Sequence, residues 1–526
     1  MRPRLGPVGA DLLIVAGLLV VGVFQWQGGE AGWPTLQDQL LDGMDAGEWA
    51  DQMRAWTQGR PDDLDGHRMP TWTLLVGLLA PLNVGLAGHL VNHLLQLALG
   101  PIVYGLGRVT GMGRGSAAVA GAWVAANAVL VLASRRFGVD PTIATFIPLA
   151  LLAAHLTRWR WWLAPLAGAV SALTAAAHFT TLPIPIPAFA LAILVAKPGE
   201  RAMAGIGFLA GLALTWGMIF QAFPWIGWET LVASVGESAS HQAAGGAGAP
   251  GWERMLSSGW LSARTHLGGA LSDYAGRMHA FGVPLLAAVG LAVLGAAGVG
   301  LGGQARPAAA RRGARVLESP GATPGWGGGL GLALALAPVP VLLAMQAAPR
   351  YSDNLLPLAV LLVVRGLAVC VGFAERWGGP RCDAVFGVLG GIWAVSGTAT
   401  GVPAAPMSSA LLDREVGAML AANAPPGSCV VSSLRDAVAY AGLRFVRIGC
   451  PTSTTQDSFR DCLSTLQRQC RDQDSVGWII VERTPLDERS AARRAMDDWA
   501  KAEFGVIAEA LTPTETVSLV RLPFSP

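Results

Sequence analysis

The chain has 526 residues, a formal net charge of +2, 52% hydrophobic and 14% charged residues, and a mean hydropathy of +0.46. That is about half the charge of an ordinary soluble domain, so the composition excludes a soluble globular protein and indicates a polytopic membrane protein. The near-neutral balance leaves no electrostatic footprint for nucleic acid.

Apolar runs long enough to cross the hydrocarbon layer, at about 20 residues each, are expected at 8–26, 89–107, 115–133, 141–157, 161–177, 183–196, 202–219, 281–302, 328–346, 354–372 and 384–400. The first run is expected to stay as an anchor, because it has no small-residue cleavage site of a signal peptide. A further run, 71–88, begins after Pro70 and breaks at Pro81-Leu82-Asn83. If it does not fully cross, every inside connection is basic: Arg2 and Arg4, Arg108 and Arg114, Arg158 and Arg160, Lys197 and Arg201, Arg311, Arg312 and Arg315, then Arg376 and Arg381. This is the bias that the positive-inside rule requires. Run 71–88 is therefore read as half-inserted, which is tolerable where protein buries it.

The same parity puts the N-terminus in the cytoplasm. It places outside the loops 27–70 and 220–280, the turns at 134–140, 178–182 and 347–353, and everything after about residue 401, in a multi-pass protein of the cytoplasmic membrane. Arg135 and Arg136 are exceptions to the charge bias. The Gly/Ala/Pro-rich stretch 303–327 reads as a cytoplasmic linker, and 241–251 as an exterior one. A Trp- and Leu-bearing segment follows the latter at helical spacing and is expected to lie in the interface.

From residue 401 the pattern alternates helix-like runs with short strand-like ones, CVVSS and GWIIVE among them, as in a small α/β domain. Cys429, Cys450, Cys462 and Cys470 lie in it. An oxidising compartment would let them form two disulfides, with three pairings open. Their spacing lacks the paired ligands of a zinc site.

Four polar groups stand out on the exterior side. Asp45 and Glu48 sit in LLDGMDAGEWADQM, Asp140 in RRFGVDP, His178 in AAHFTTLP, and Arg350 with Tyr351 in APRYSDNLLP. Each has an ordinary reading beside the functional one: a solvated carboxylate, an N-cap before Pro141, a satisfied core histidine, a snorkelling arginine. Ionisable groups at the membrane are nevertheless functional candidates by default.

Their order along the chain carries a resemblance. A first span, then Asp45-Ala-Gly-Glu48-Trp49-Ala50, Trp56-Thr-Gln-Gly59 and His67-Arg68-Met69-Pro70, resembles the opening of the GT-C superfamily of lipid-phosphosugar-dependent glycosyltransferases. Within it, the protein O-mannosyltransferase-like and aminoarabinose transferase proteins are the most similar. Asp140 resembles the family's second acidic position, and RYSDNLLPLAVLL its late helix start. The chain departs from the family pattern in having Ala46 where a second acid often follows, and His178 where a lysine is common.

The resemblance implies a GT-C-type membrane domain over 1–400, about eleven spans plus a half-inserted helix by the span lengths above, and an extracytoplasmic α/β domain over 401–526. The implied reaction transfers a sugar from a polyprenyl-phosphate donor to an extracytoplasmic acceptor, with inversion. Asp45 would serve as base, with Asp140 as the second carboxylate. Arg350, Tyr351, His67 and Arg68 would hold the donor phosphate, and Glu48 and His178 the acceptor side. No cofactor is required. A divalent metal on Asp45, Glu48 and Asp140 stays open, since no compact spacing demands one. The expected partners are the donor, the acceptor and the bilayer, in the envelope of a bacterium to judge from the Ala/Gly/Arg-rich usage. A transporter is the alternative, but no internal repeat supports it. A non-catalytic scaffold whose exterior domain binds a partner is the other.

Overall fold

The computed structural model describes residues 7–27, 46–57, 69–79, 84–178, 181–223, 287, 290–294, 355–378, 382–398, 408–426, 428–432, 434–447, 461, 477–483, 498–499, 501–503, 505–511 and 516–521. Among them the chain is mostly helical. In order come α1 (Pro7–Gln27), α2 (Ala46–Thr57), α3 (Pro70–Gly77), α4 (Val84–Val109), α5 (Arg114–Ala125), α6 (Ala128–Arg135), α7 (Asp140–Leu156), α8 (Ala164–Ala175), α9 (Pro185–Val195), α10 (Arg201–Ala222), α11 (Leu356–Gly378) and α12 (Cys382–Thr398). Helix α13 (Ser408–Asn423), strand β1 (Cys429–Ser432), helix α14 (Arg435–Ala441) and strands β2 (Arg444–Arg447), β3 (Gly477–Arg483), β4 (Val506–Leu511) and β5 (Thr516–Arg521) follow. The predicted runs 281–302 and 328–346 and the loop 220–280 lie mostly or wholly outside the described residues, as do both linkers.

Three of the described helices are long and apolar enough to cross a membrane, or four if the bent pair α5–α6 is one span. Apolar side chains face outward where no protein covers them, on the long helix α10 (Ile206, Leu209, Leu214 and Met218) and on the shorter apolar helix α12 (Val385, Val388, Leu389 and Ile392). In water such faces would be a liability; in lipid they are the solvent-facing surface.

Two expectations need correction. The run 115–133 is not one continuous helix. Helix α5 ends at Ala125, and Asn127 Oδ1 accepts from the backbone N–H groups of Val129 and Leu130 at 2.9 and 3.2 Å, starting α6 at an angle of 46°. A side chain that satisfies the first amides of a new helix competes with continuation of the old one. Asp140, in turn, is not the N-cap of α7 but its first residue. Val139 holds the cap position, its carbonyl accepting from Thr142 N and Ile143 N.

Helix α3 starts with Pro70 at a position where the missing N–H costs nothing, and it has only 8 residues. At 1.5 Å per residue it is about 12 Å long, far short of the roughly 30 Å hydrocarbon layer. Pro70, Thr71, Trp72, Thr73 and Val76 are buried by neighbouring helices.

Small residues let helices meet backbone to backbone. A Cβ on Gly168 of α8 would fall 2.8 Å from Leu212 N of α10 and still closer to the Phe208 carbonyl oxygen. One on Gly211 would fall 2.7 Å from the Pro165 carbonyl carbon. This is the close packing that membrane helices use in place of a hydrophobic driving force.

The C-terminal residues form a five-stranded sheet of order β2-β1-β3-β5-β4, with β1 parallel to β2 and β3, and β5 antiparallel to β3 and β4. Val416 and Leu420 of α13 and Val438 of α14 bury against Val430, Val517 and Leu519. The two segments read from sequence as strands, CVVSS and GWIIVE, supply β1 and β3. Cys429 is buried and disulfide-bonded, whereas Cys450, Cys462 and Cys470 lie outside the described residues.

Candidate active site

Helix α4 has two chemically different ends. At its C-terminal end, Arg114 of α5 donates to both oxygens of Asp11 in α1 at 2.9 and 3.1 Å, and Tyr104 donates to the same carboxylate. Asp383 at the start of α12 accepts from Gly115 N, Ser116 N and Ser116 Oγ at 2.8, 3.0 and 2.7 Å. Buried Arg365 of α11 donates to the Thr110 carbonyl at 2.6 Å, satisfying a backbone acceptor just past the end of α4. These groups knit five helices together, α1, α4, α5, α11 and α12; the sequence reading overlooked Asp11 and Arg365 altogether.

The N-terminal end of α4 is where the other candidate elements converge. Helix α2 presents Trp49, Gln52 and Met53, all buried. These follow the i, i+3, i+4 spacing of one helical face. The Trp49 ring meets Trp72 of α3 edge to face at 5.1 Å, Trp72 meets Phe137 at 5.1 Å, and Phe137 meets His89 of α4 at 5.5 Å. Trp49 also lies against Gly138, its Cδ1 and Nε1 atoms 3.9 Å from where a Cβ would stand. Two residues later the chain reaches Asp140.

A polar stripe runs down α4 behind this aromatic row. His89, Asn92, His93 and Gln96 are all buried, at the i, i+3, i+4, i+7 positions of one face. Asn92 Oδ1 accepts from Trp72 Nε1 at 2.8 Å, and Asn92 Nδ2 donates to the Arg136 and Gly138 carbonyls at 2.8 and 3.0 Å. His93 Nδ1 stands 3.1 Å from the Ser134 carbonyl. The sequence reading singled out none of these four, although the octet HLVNHLLQ carries the signal in its spacing.

On the same side, Thr71 at the head of α3 donates its N–H to the Ala176 carbonyl at 3.0 Å and its hydroxyl to the Leu173 carbonyl at 2.7 Å. Two residues on, half-buried His178 closes a tight turn with Thr181, whose N–H reaches the His178 carbonyl at 2.9 Å. Trp56 at the end of α2 stacks on Phe223 just beyond α10 at 5.2 Å. Helix α14 of the C-terminal unit packs on α2, with Ala439 entering the same apolar core as Trp49 and Trp72.

Of the residues proposed from sequence, then, Asp140 heads α7 beside the aromatic row, and His178 follows the helix end that anchors α3. Glu48 is on α2. Asp45, His67, Arg68, Arg350 and Tyr351 lie outside the described residues; Asp45 directly precedes α2, and His67 and Arg68 directly precede Met69. Among the described residues no group of three or more His, Cys, Asp or Glu side chains is placed to hold a metal ion.

Comparison with solved structures decides the architecture. The transferase ArnT from Cupriavidus metallidurans, bound to undecaprenyl phosphate, superposes with a TM-score of 0.56 over 98% of this chain and 98% of its own, at 12% identity. The archaeal oligosaccharyltransferase AglB from Archaeoglobus fulgidus, in complex with an inhibitory peptide and a dolichol-phosphate, gives a TM-score of 0.54 over 89% of this chain and 69% of that one, at 11% identity. The fold is that of the GT-C glycosyltransferases. No protein-family model matches the chain, and no curated protein matches it in sequence. At such identities the GT-C likeness is one of fold, so what the chain does has to be reasoned from its own residues.

Proposed function

We propose that this protein is a membrane glycosyltransferase that moves a sugar from a polyprenyl-phosphate carrier to an acceptor on the extracytoplasmic side, with inversion at the anomeric carbon. The observation that carries the reading is the row of ring contacts from Trp49 through Trp72 to Phe137. It joins the helix that directly follows Asp45 to the loop that directly precedes Asp140, in a fold whose solved examples include proteins bound to undecaprenyl phosphate and to a dolichol-phosphate.

In this reading Asp45 takes the acceptor proton as the acceptor attacks the anomeric carbon, the bond from that carbon to the phosphate oxygen breaks, and polyprenyl phosphate leaves as an anion. Asp140 orients the acceptor. The Arg350 guanidinium stabilises the departing phosphate with charge-assisted hydrogen bonds, together with Tyr351, His67 and Arg68. Glu48 and His178 border the acceptor side. The C-terminal unit, packed on α2, lies on the extracytoplasmic face, and its cysteines 429, 450, 462 and 470 form disulfides there. The direct test is transfer from a panel of radiolabelled polyprenyl-phosphate sugars in acceptor-containing membranes, wild type against Asp45→Asn at equal protein level. Loss of transfer in the variant supports the reading; no transfer from any donor by folded wild type refutes it.

A further inference from the structure

The geometry points to Asn92 as a positioning residue that couples the half-inserted helix α3 to the loop bearing Asp140, an inference that rests on the sugar-transfer reading above. A primary amide offers two donors and one two-lone-pair acceptor. Asn92 is fully buried and directs all three functions to two other segments: the acceptor to Trp72 in α3, and both donors to the backbone between α6 and α7.

In that backbone the Arg136 N–H closes α6 on the Leu132 and Ala133 carbonyls, but two carbonyls face away from either helix. The hydrogen bonds opening α7 go to the Val139 carbonyl, leaving the Arg136 and Gly138 carbonyls outside any helical ladder. Carbonyls partly withdrawn from water in this way need a protein donor. Two anchors two residues apart fix both the position and the twist of the loop. Between them Phe137 is wedged between Trp72 and His89. It fits there only because position 88 is glycine, where a Cβ would meet the Phe137 ring. Asp140 follows Gly138 by two residues, so the backbone that carries its carboxylate is placed from Asn92. Because the same amide accepts from Trp72, whose ring also packs on Phe137, a shift of α3 reaches the loop before Asp140 through Asn92 and Phe137.

The test uses the full chain in nanodiscs and reads amide hydrogen exchange together with transfer kinetics. Asn92→Ala is expected to speed exchange in both 69–77 and 134–142. Asn92→Asp keeps an acceptor for Trp72 but sets a carboxylate against two carbonyls, so it should speed exchange in 134–142 alone. Trp72→Phe should do so in 69–77 alone. Misplacing a reacting group by about 1 Å costs up to about 100-fold in rate, so both Asn92 variants should lose about 10- to 100-fold in kcat while donor KM stays within about twofold. A residue that merely stabilises the fold would lower the amount of active enzyme without separating the two exchange patterns. Unchanged exchange at 134–142, or near wild-type kcat in Asn92→Asp, overturns the proposal. If wild type transfers nothing while the exchange pattern appears as expected, the sugar-transfer reading is what fails, and Asn92 is left as a structural clamp.

Discussion

The contact between α8 and α10 allows a quantitative test. Replacing Gly168 by alanine puts a methyl group 2.8 Å from Leu212 N and 2.9 Å from the Phe208 carbonyl carbon. Replacing Gly211 puts one 2.7 Å from both the carbonyl carbon and the Cα of Pro165. Both obstacles are backbone, which no rotamer change can move, so the helices must part by more than half an ångström. Overpacking of this kind costs about 3 kcal/mol at the upper end of its usual range, and alanine returns about 1 kcal/mol through its better helix propensity. Each single variant should therefore lose about 2 kcal/mol, roughly a 30-fold shift in the folding equilibrium. The double variant should lose less than the sum, because the separation forced by the first methyl makes room for the second, giving a coupling of about 1 kcal/mol. Equilibrium unfolding in mixed micelles of rising SDS fraction measures all four corners of the cycle. Wild-type stability in either single variant, or strict additivity in the double, would refute the close-packing account. The consequence reaches the candidate site, since α8 ends where Ala176 and Leu173 hold Thr71 at the head of α3.

Asp140→Asn, isosteric and uncharged, should lower sugar transfer by about 100-fold or more if this carboxylate acts in the reaction, while removing the charge at the start of α7 costs about 1 kcal/mol or less; intact transfer would remove Asp140 from the site. Asp383→Ala removes three hydrogen bonds and a carboxylate from the N-terminus of α5 and should cost about 1–3 kcal/mol in the same micelle assay. Cys429→Ser, or a reductant applied to wild type, should destabilise the C-terminal sheet by about 2–5 kcal/mol. That loss would appear as a separate lower transition in differential scanning calorimetry, and an unchanged trace would mean the bridge adds nothing to stability.

The features legible in the sequence were those with strong local signals. The apolar runs of α4, α7, α8 and α10 stand out because lipid demands unbroken hydrophobicity, and β1 and β3 because CVVSS and GWIIVE are short β-branched runs between turn signals. Asp140 was conspicuous as an acid beside a proline in a chain that avoids acids. Asn92 was not, because a polar residue within an apolar run reads only as a slight weakening of that run. Its importance comes from Trp72, Arg136 and Gly138, up to 46 positions away along the chain. The break at Asn127 escaped for a related reason: the flanking residues are apolar enough for a continuous helix, and only the capping geometry divides them. Asp11 and Arg365 were masked in the same way, each a single charge diluted by its apolar neighbours.

The packing of α14 on α2 has a consequence for biosynthesis. Helix α2, with Trp49, Ala50 and Met53 buried in the finished fold, leaves the ribosome early, while α14 is encoded about 380 residues later. At roughly 5–20 residues per second, the first loop waits on the order of 20–80 seconds for its cover. During that interval Trp72 and Phe223 can already pack on Trp49 and Trp56, and the side of α2 that meets α14 is the part left without its final partner.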